Sequence, residues 1–182
     1  KPQIKPGTSL LEIAEKIESK IIELGGKPAF PVNLSIDEIA AHYTPNHNDA
    51  SKARGLLKVD FGVQIDGWTA DNAFSLDLEE SEENKNLISA AEKALEKALD
   101  GFSENTELNK IGKIINETIS EKGFVPVVNL SGHNMKEYEL HAGITIPNVD
   151  NGNEWEIEKG LYAIEPFATN GNGKVKDGNP SG

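Results

Sequence analysis

Val59-Asp60-Phe61-Gly62-Val63-Gln64-Ile65-Asp66-Gly67-Trp68-Thr69-Ala70-Asp71 reads as two alternating strands closed by a two-residue turn. Asp-Gly is a favoured hairpin loop because both central positions of its turn take positive φ. With Asp66 and Gly67 as the loop, Ile65 faces Trp68, Gly62 faces Asp71 and Asp60 faces Ala73. Asp60 and Asp71 then share one face as diagonal neighbours about 7–8 Å apart. Val59, Phe61, Val63, Trp68 and Phe74 fall on the other face, as a packed sheet requires. Two carboxylates so placed suit two divalent ions about 3.5–4 Å apart. A surface hairpin with two solvated acids explains this segment, taken alone, equally well.

Downstream residues bear on that choice. Asn129-Leu130-Ser131-Gly132-His133 is followed by Tyr138-Glu139-Leu140-His141-Ala142-Gly143. A continuous strand would hold His133 and His141 roughly 26 Å apart, so they share a site only if the chain folds back. The polar run Asn134 to Glu137 is the expected place. Leu161-Tyr162-Ala163-Ile164-Glu165-Pro166-Phe167 ends an apolar strand on an acid, and burying that acid without a partner is costly. His47, in the turn Asn46-His47-Asn48-Asp49, is expected to be exposed.

The chain also repeats itself weakly. Thr8-Ser9-Leu10 with Ile13, Ile17 and Ile21 matches Thr106-Glu107-Leu108 with Ile111, Ile115 and Ile119 at a constant offset. Asn33-Leu34-Ser35 then matches Asn129-Leu130-Ser131, and each segment runs on to a histidine, His42 or His141. Each half reads as a helix, a glycine stop and a strand-and-loop segment. Such halves suggest a pseudo-twofold arrangement with a site between them. Ser9 and Glu12 form a capping box for the first helix. A further helix is predicted from Glu82 to about Ala98, burying Leu87, Ile88, Ala91, Leu95 and Ala98. The acids Glu79, Glu80, Glu82 and Glu83 suit its N-terminal dipole and not a metal site.

The motifs together resemble the methionine aminopeptidases, within them the type 2 branch of archaea and eukaryotes. The likeness rests on Lys27-Pro28-Ala29-Phe30-Pro31, Ala41-His42-Tyr43-Thr44-Pro45, Asp60-Phe61-Gly62 with Asp71, Ser131-Gly132-His133 with His141-Ala142-Gly143, and Ala163-Ile164-Glu165-Pro166-Phe167. It implies an α+β pita-bread fold and a metallo-aminopeptidase that removes N-terminal methionine from nascent proteins. By the same resemblance two divalent ions (cobalt, manganese, iron or zinc) are held by Asp60, bridging Asp71, His133 and Glu165. His42 and His141 become catalytic, substrate-handling histidines, and Phe30, His42 and Leu140 line the methionine pocket. A cytoplasmic monomer is implied. Family members carry a fifth ligand, a glutamate on a strand beyond a helical insertion. Residues 1–182 are therefore expected to form one incomplete domain, with halves of about 1–80 and 81–182. Both that insertion and the last strand would lie past the Gly-rich stretch ending Pro180-Ser181-Gly182. Lys1 to Gly7 looks like the end of an earlier helix.

Alternatives within this reading are a prolidase-like peptidase, a non-catalytic binding protein of the same fold, and a piece inactive by itself. Prolidase relatives follow the second Asp with Thr-Arg, whereas Asn72-Ala73-Phe74 stands here. Composition narrows the field further. Lys plus Arg is 18 against 30 Asp plus Glu, a net charge of −12 with no basic stripe, which argues against phosphate-driven nucleic-acid binding. Without cysteine, any metal must be held by oxygen and imidazole. No apolar run approaches membrane-spanning length.

Overall fold

The computed structural model describes residues 4–178 and divides into two compact units, the first running to Asn84 and including Asp177 and Gly178, the second Lys85–Lys176. Lys1 to Gln3 and the final Asn-Pro-Ser-Gly, on which the readings of a preceding helix and a Gly-rich end partly fell, lie outside the described residues. Ile4 to Gly7 is irregular chain and turn, not helix.

In the first unit, α1 (Leu10–Glu23) begins at Ser9, whose hydroxyl accepts the Glu12 N–H at 3.5 Å. It ends where Gly25, at φ +90°, turns the chain out of the helix, a conformation glycine adopts without steric cost. Its buried stripe of Leu10, Ile13 and Ala14 packs with Val32, Leu34, Leu57 and Val59. Fully burying each such aliphatic side chain contributes about 1.5–3 kcal/mol. The partner surface is a four-stranded antiparallel sheet of β1 (Lys27–Pro28), β2 (Asn33–Ile36), β3 (Leu56–Ile65) and β4 (Trp68–Asp77), with β3 paired to all the others. Leu57 and Val59 point into the α1 core, so Lys58, Asp60 and Gly62 occupy the opposite face by strand alternation.

The β3–β4 register is the one the Asp-Gly turn predicts: Ile65 pairs with Trp68, Gly62 with Asp71 and Asp60 with Ala73. Asp66 and Gly67 take φ values of 50° and 87°. One expectation fails at the tip. Trp68 and Ile65 are 55% and 58% exposed, because the apolar cluster with α1 takes in Leu57, Val59, Phe61 and Phe74, away from the hairpin tip.

The second unit is built on α2 (Glu82–Gly101) and α3 (Leu108–Glu121). Its buried α2 line is Ala90, Ala94 and Ala98. Of the residues expected there, Ala98 is buried, while Leu87, Ile88, Ala91 and Leu95 are half-buried. The alanines form a row at helical i, i+4 spacing, and Ala94 and Ala98 share a buried cluster with Leu108, Ile111, Ile115 and Ile119. The bulkier residues flank that line. Two small antiparallel sheets complete the unit: β6 (Ser131–Met135) between β7 (Thr145–Pro147) and β8 (Leu161–Ala163), and β5 (Val125–Pro126) with β9 (Ala168–Thr169).

The repeat is visible element by element. Both α1 and α3 are 14 residues long, each is followed by a positive-φ glycine, Gly25 or Gly123, and then by a two-residue strand. The N–H of Leu10 donates to Ser51 O at 3.0 Å, and that of Leu108 to Trp155 O at 2.9 Å. These bonds satisfy equivalent orphan donors in the first helical turn. The shared Asn-Leu-Ser does not keep one role. Asn33 starts β2 and bonds Asp60, whereas Asn129 precedes β6 and bonds the backbone of Val175. Among the described residues no helix is long and apolar enough to cross a membrane.

Candidate metal centre

The first unit carries a carboxylate face. Asp60 and Asp71 lie on the same side of the β3–β4 hairpin, each half-buried. Asp60 is also flanked on the other edge of β3 by Asn33, its direct antiparallel partner. The Asn33 Nδ2 donates to Asp60 Oδ2 at 3.3 Å, and Thr44 Oγ1 donates to Asn33 Oδ1 at 2.8 Å. Phe30 lies over Gly62, one position along the same face. A Cβ at Gly62 would sit 2.5 Å from Phe30 Cε1, so only glycine lets the ring rest there. Lys58 also belongs to this face. Burial pulls its ammonium down to about 8 against the opposing pull of Asp37 and Glu38, and it donates to Asp37 O at 2.6 Å.

His42 stands exposed in the loop after β2, at φ +65°. That left-handed conformation costs an L-residue roughly 1–2 kcal/mol, and neighbouring contacts hold it. Leu34 N–H donates to Tyr43 O at 2.7 Å, and the Tyr43 hydroxyl donates to Asp49 Oδ2 at 2.7 Å. The phenol is shifted upward: the Ser51 hydroxyl opposes the shift, while hydrogen bonding and charge from Asp49 drive it. Asp49 is shifted down, with burial opposing and the hydroxyls of Ser51 and Tyr43 favouring its charged form.

The second unit carries a buried imidazole beside a carboxylate. His133 sits mid-strand on β6, opposite Thr145 on one edge and Ala163 on the other, and is 7% exposed. Its Nδ1 lies 3.4 Å from Asn134 O. A proton on Nδ1, donated to that carbonyl, leaves the Nε2 lone pair available for a ligand. Glu165, just past β8, places Oε1 3.2 Å from His133 Nε2. The contact is within ion-pair range but outside hydrogen-bond geometry, so this buried oxygen has no hydrogen-bond partner. Leaving a buried carboxylate oxygen unsatisfied costs several kcal/mol in principle. Two donors that each stand about 2.0–2.2 Å from one ion lie roughly 3–3.5 Å from each other. The His133–Glu165 spacing fits that arrangement, and these residues suit a divalent cation.

The chain does fold back between the histidines. Lys136 and Glu139 exchange backbone hydrogen bonds of 2.9 and 3.0 Å around Glu137 and Tyr138, the latter at φ +60°. His141 thereby returns beside His133, ring centroids 4.2 Å apart and planes at 63°. His141 is exposed and Leu140 half-buried. His47 is exposed, as its turn suggests.

Three supporting residues escaped the sequence reading. Asn33 was visible only as part of the repeat, Thr44 only as part of a motif, and Gly132 only as the neighbour of His133. A Cβ at Gly132 would collide with the Ala163 carbonyl and lie 3.1 Å from Glu165 N. Gly132→Ala is therefore expected to destabilise this unit by about 1–3 kcal/mol, the usual range for overpacking. Thermal denaturation checks it, and an unchanged melting temperature would show that β6 and β8 separate freely.

The sequence matches the profile of metallopeptidase family M24 over residues 1–178. It is 50% identical over 175 residues to a methionine aminopeptidase of Pyrococcus abyssi, covering 94% of this chain and 59% of that protein. A methionine aminopeptidase of Methanocaldococcus jannaschii is also 50% identical over 179 residues, with 97% and 60% covered. The chain thus spans about three-fifths of the length of these curated relatives. Among solved structures, a Thermotoga maritima methionine aminopeptidase superposes with a TM-score of 0.88 at 27% identity, covering 98% of this chain and 76% of that one. A Pyrococcus furiosus prolidase shares the fold at a TM-score of 0.74 and 21% identity, with 90% and 49% covered. The architecture is the α+β pita-bread fold.

Proposed function

The chain belongs to metallopeptidase family M24, and from that premise we propose that its whole protein is a methionyl aminopeptidase acting on nascent chains. Its metal ligands are Asp60, Asp71, His133 and Glu165. The observation that carries this reading is the buried Glu165 oxygen set 3.2 Å from His133 Nε2 without a hydrogen bond. The donor set of carboxylates with one imidazole suits manganese, iron, cobalt or zinc. When bound, a pair of such ions acidifies water and stabilises charge developing on the scissile carbonyl.

The chain's own residues supply orientation. Asp60 and Asp71 present two carboxylates from one hairpin face, and Asp71 would be the ligand shared by both ions. A proton on His133 Nδ1, directed at Asn134 O 3.4 Å away, would leave Nε2 for the metal. His42 and His141, both exposed, donate hydrogen bonds to the substrate and its developing oxyanion. Phe30, His42 and Leu140 line the slot for the first side chain. An unbranched thioether suits a narrow apolar slot, and its contact with an aromatic ring adds about 0.3–1.5 kcal/mol. The same reading makes the protein a cytoplasmic monomer that engages neither membrane nor nucleic acid; the net charge of −12 supports the latter.

The complete enzyme is expected to release methionine from a Met-Ala peptide far faster than leucine or lysine from matched peptides. Equal initial rates across the three would reject the assignment. Preference for an X-Pro dipeptide would instead favour a prolidase-like activity on the shared fold.

A further inference from the structure

Resting on the metal-binding reading above, we propose that Thr44 and Asn33 form a positioning relay that fixes the carboxylate of Asp60. An amide side chain presents an acceptor on one side and donors on the other. The Thr44 hydroxyl donates to Asn33 Oδ1 at 2.8 Å, which commits Nδ2 to the opposite side. There Nδ2 donates to Asp60 Oδ2 at 3.3 Å. The reverse amide orientation would set oxygen against carboxylate oxygen, so the relay has one stable polarity. Asn33 and Asp60 are direct partners across β2 and β3, and the backbone ladder holds their separation.

A carboxylate that accepts such a bond is held in one orientation, as ligating carboxylates commonly are. The relay also starts two residues from His42, so it ties the loop bearing that histidine to a metal ligand. It is not needed to anchor the loop. Leu34 N–H to Tyr43 O, Tyr43 N–H to Ser35 Oγ and the Tyr43 hydroxyl to Asp49 already do so. A purely structural role would therefore change stability and leave metal affinity alone.

The test is calorimetric titration of Mn²⁺ into the metal-free, full-length enzyme, with melting temperatures of the metal-free proteins measured in parallel. Asn33→Ala is expected to raise the Mn²⁺ Kd about 10- to 100-fold, the usual consequence of losing a group that orients a ligand. Thr44→Val should raise it about 3- to 10-fold, in keeping with one lost neutral hydrogen bond. Thr44→Ser, which keeps the hydroxyl, should bind like the wild type. A Kd for Asn33→Ala that matches the wild type overturns the relay, as does a Thr44→Ser variant as weak as Thr44→Val. If Asn33→Ala fails to fold, the two Thr44 variants decide alone. A wild-type enzyme that binds no Mn²⁺ rejects the metal-site reading itself, whereas one that binds it equally in all variants rejects only the relay.

Discussion

Asp71→Ala in the complete enzyme is expected to remove bound metal and activity together, with turnover falling by more than the roughly 10²–10³ lost with a single transition-state donor. The expectation rests on the role proposed above for Asp71 as the ligand shared by both ions. The hairpin register puts it opposite Gly62, diagonal to Asp60 and on the same face. The fold should tolerate the change. Asp71 is half-buried on β4, its strand keeps every backbone bond, and like charges near each other on one face oppose pairing. The metal-free variant should therefore still unfold cooperatively, while the stabilisation that added metal gives the wild type disappears. Elemental analysis of the purified variant and melting curves with and without Mn²⁺ check both halves of the claim. Full metal content with retained turnover would remove Asp71 from the centre.

How much of this was legible in the sequence varies with the locality of the signal. The hairpin register followed from Asp66-Gly67 because a two-residue turn leaves one pairing, and that pairing alone puts Asp60 and Asp71 on one face. The helices α1 and α3 followed from apolar spacing, and their matching ends from Gly25 and Gly123. The return of His141 to His133 was legible only as a need. The polar run after His133 marked the region, but the turn is made by Glu137 and Tyr138, with a tyrosine at positive φ and no glycine or asparagine to announce it. The α2 contact was misread because leucines and isoleucine outweigh alanines in a hydrophobic pattern. The row that is fully buried is instead the small one, Ala90, Ala94 and Ala98. The Thr44–Asn33–Asp60 chain was invisible for a different reason. It joins a loop and two strands through side-chain bonds, and no spacing along the sequence encodes which way an amide faces.

His141→Ala separates the handling of substrate from the holding of metal. Two histidines lie with ring centroids 4.2 Å apart, yet their surroundings differ. His133 is 7% exposed, with Nδ1 near a backbone carbonyl and Nε2 facing the Glu165 carboxylate. Both features suit a ligand whose tautomer is set from behind. His141 is exposed, on the returning segment past the Glu137–Tyr138 turn, where an incoming peptide would meet it. Its removal in the complete enzyme is expected to lower kcat by about 10²–10³, the loss typical of one donor to a developing oxyanion, with metal content near that of the wild type. Because the two rings touch edge to face, the variant also tests whether His133 keeps its place unaided. Its Nδ1 contact with Asn134 O and its β6 pairing with both β7 and β8 predict that it does. Single-turnover rates on Met-Ala and metal analysis of the same preparation decide the matter. If His141→Ala sheds its metal as Asp71→Ala does, the histidine is a ligand and the division of labour between the two rings is wrong.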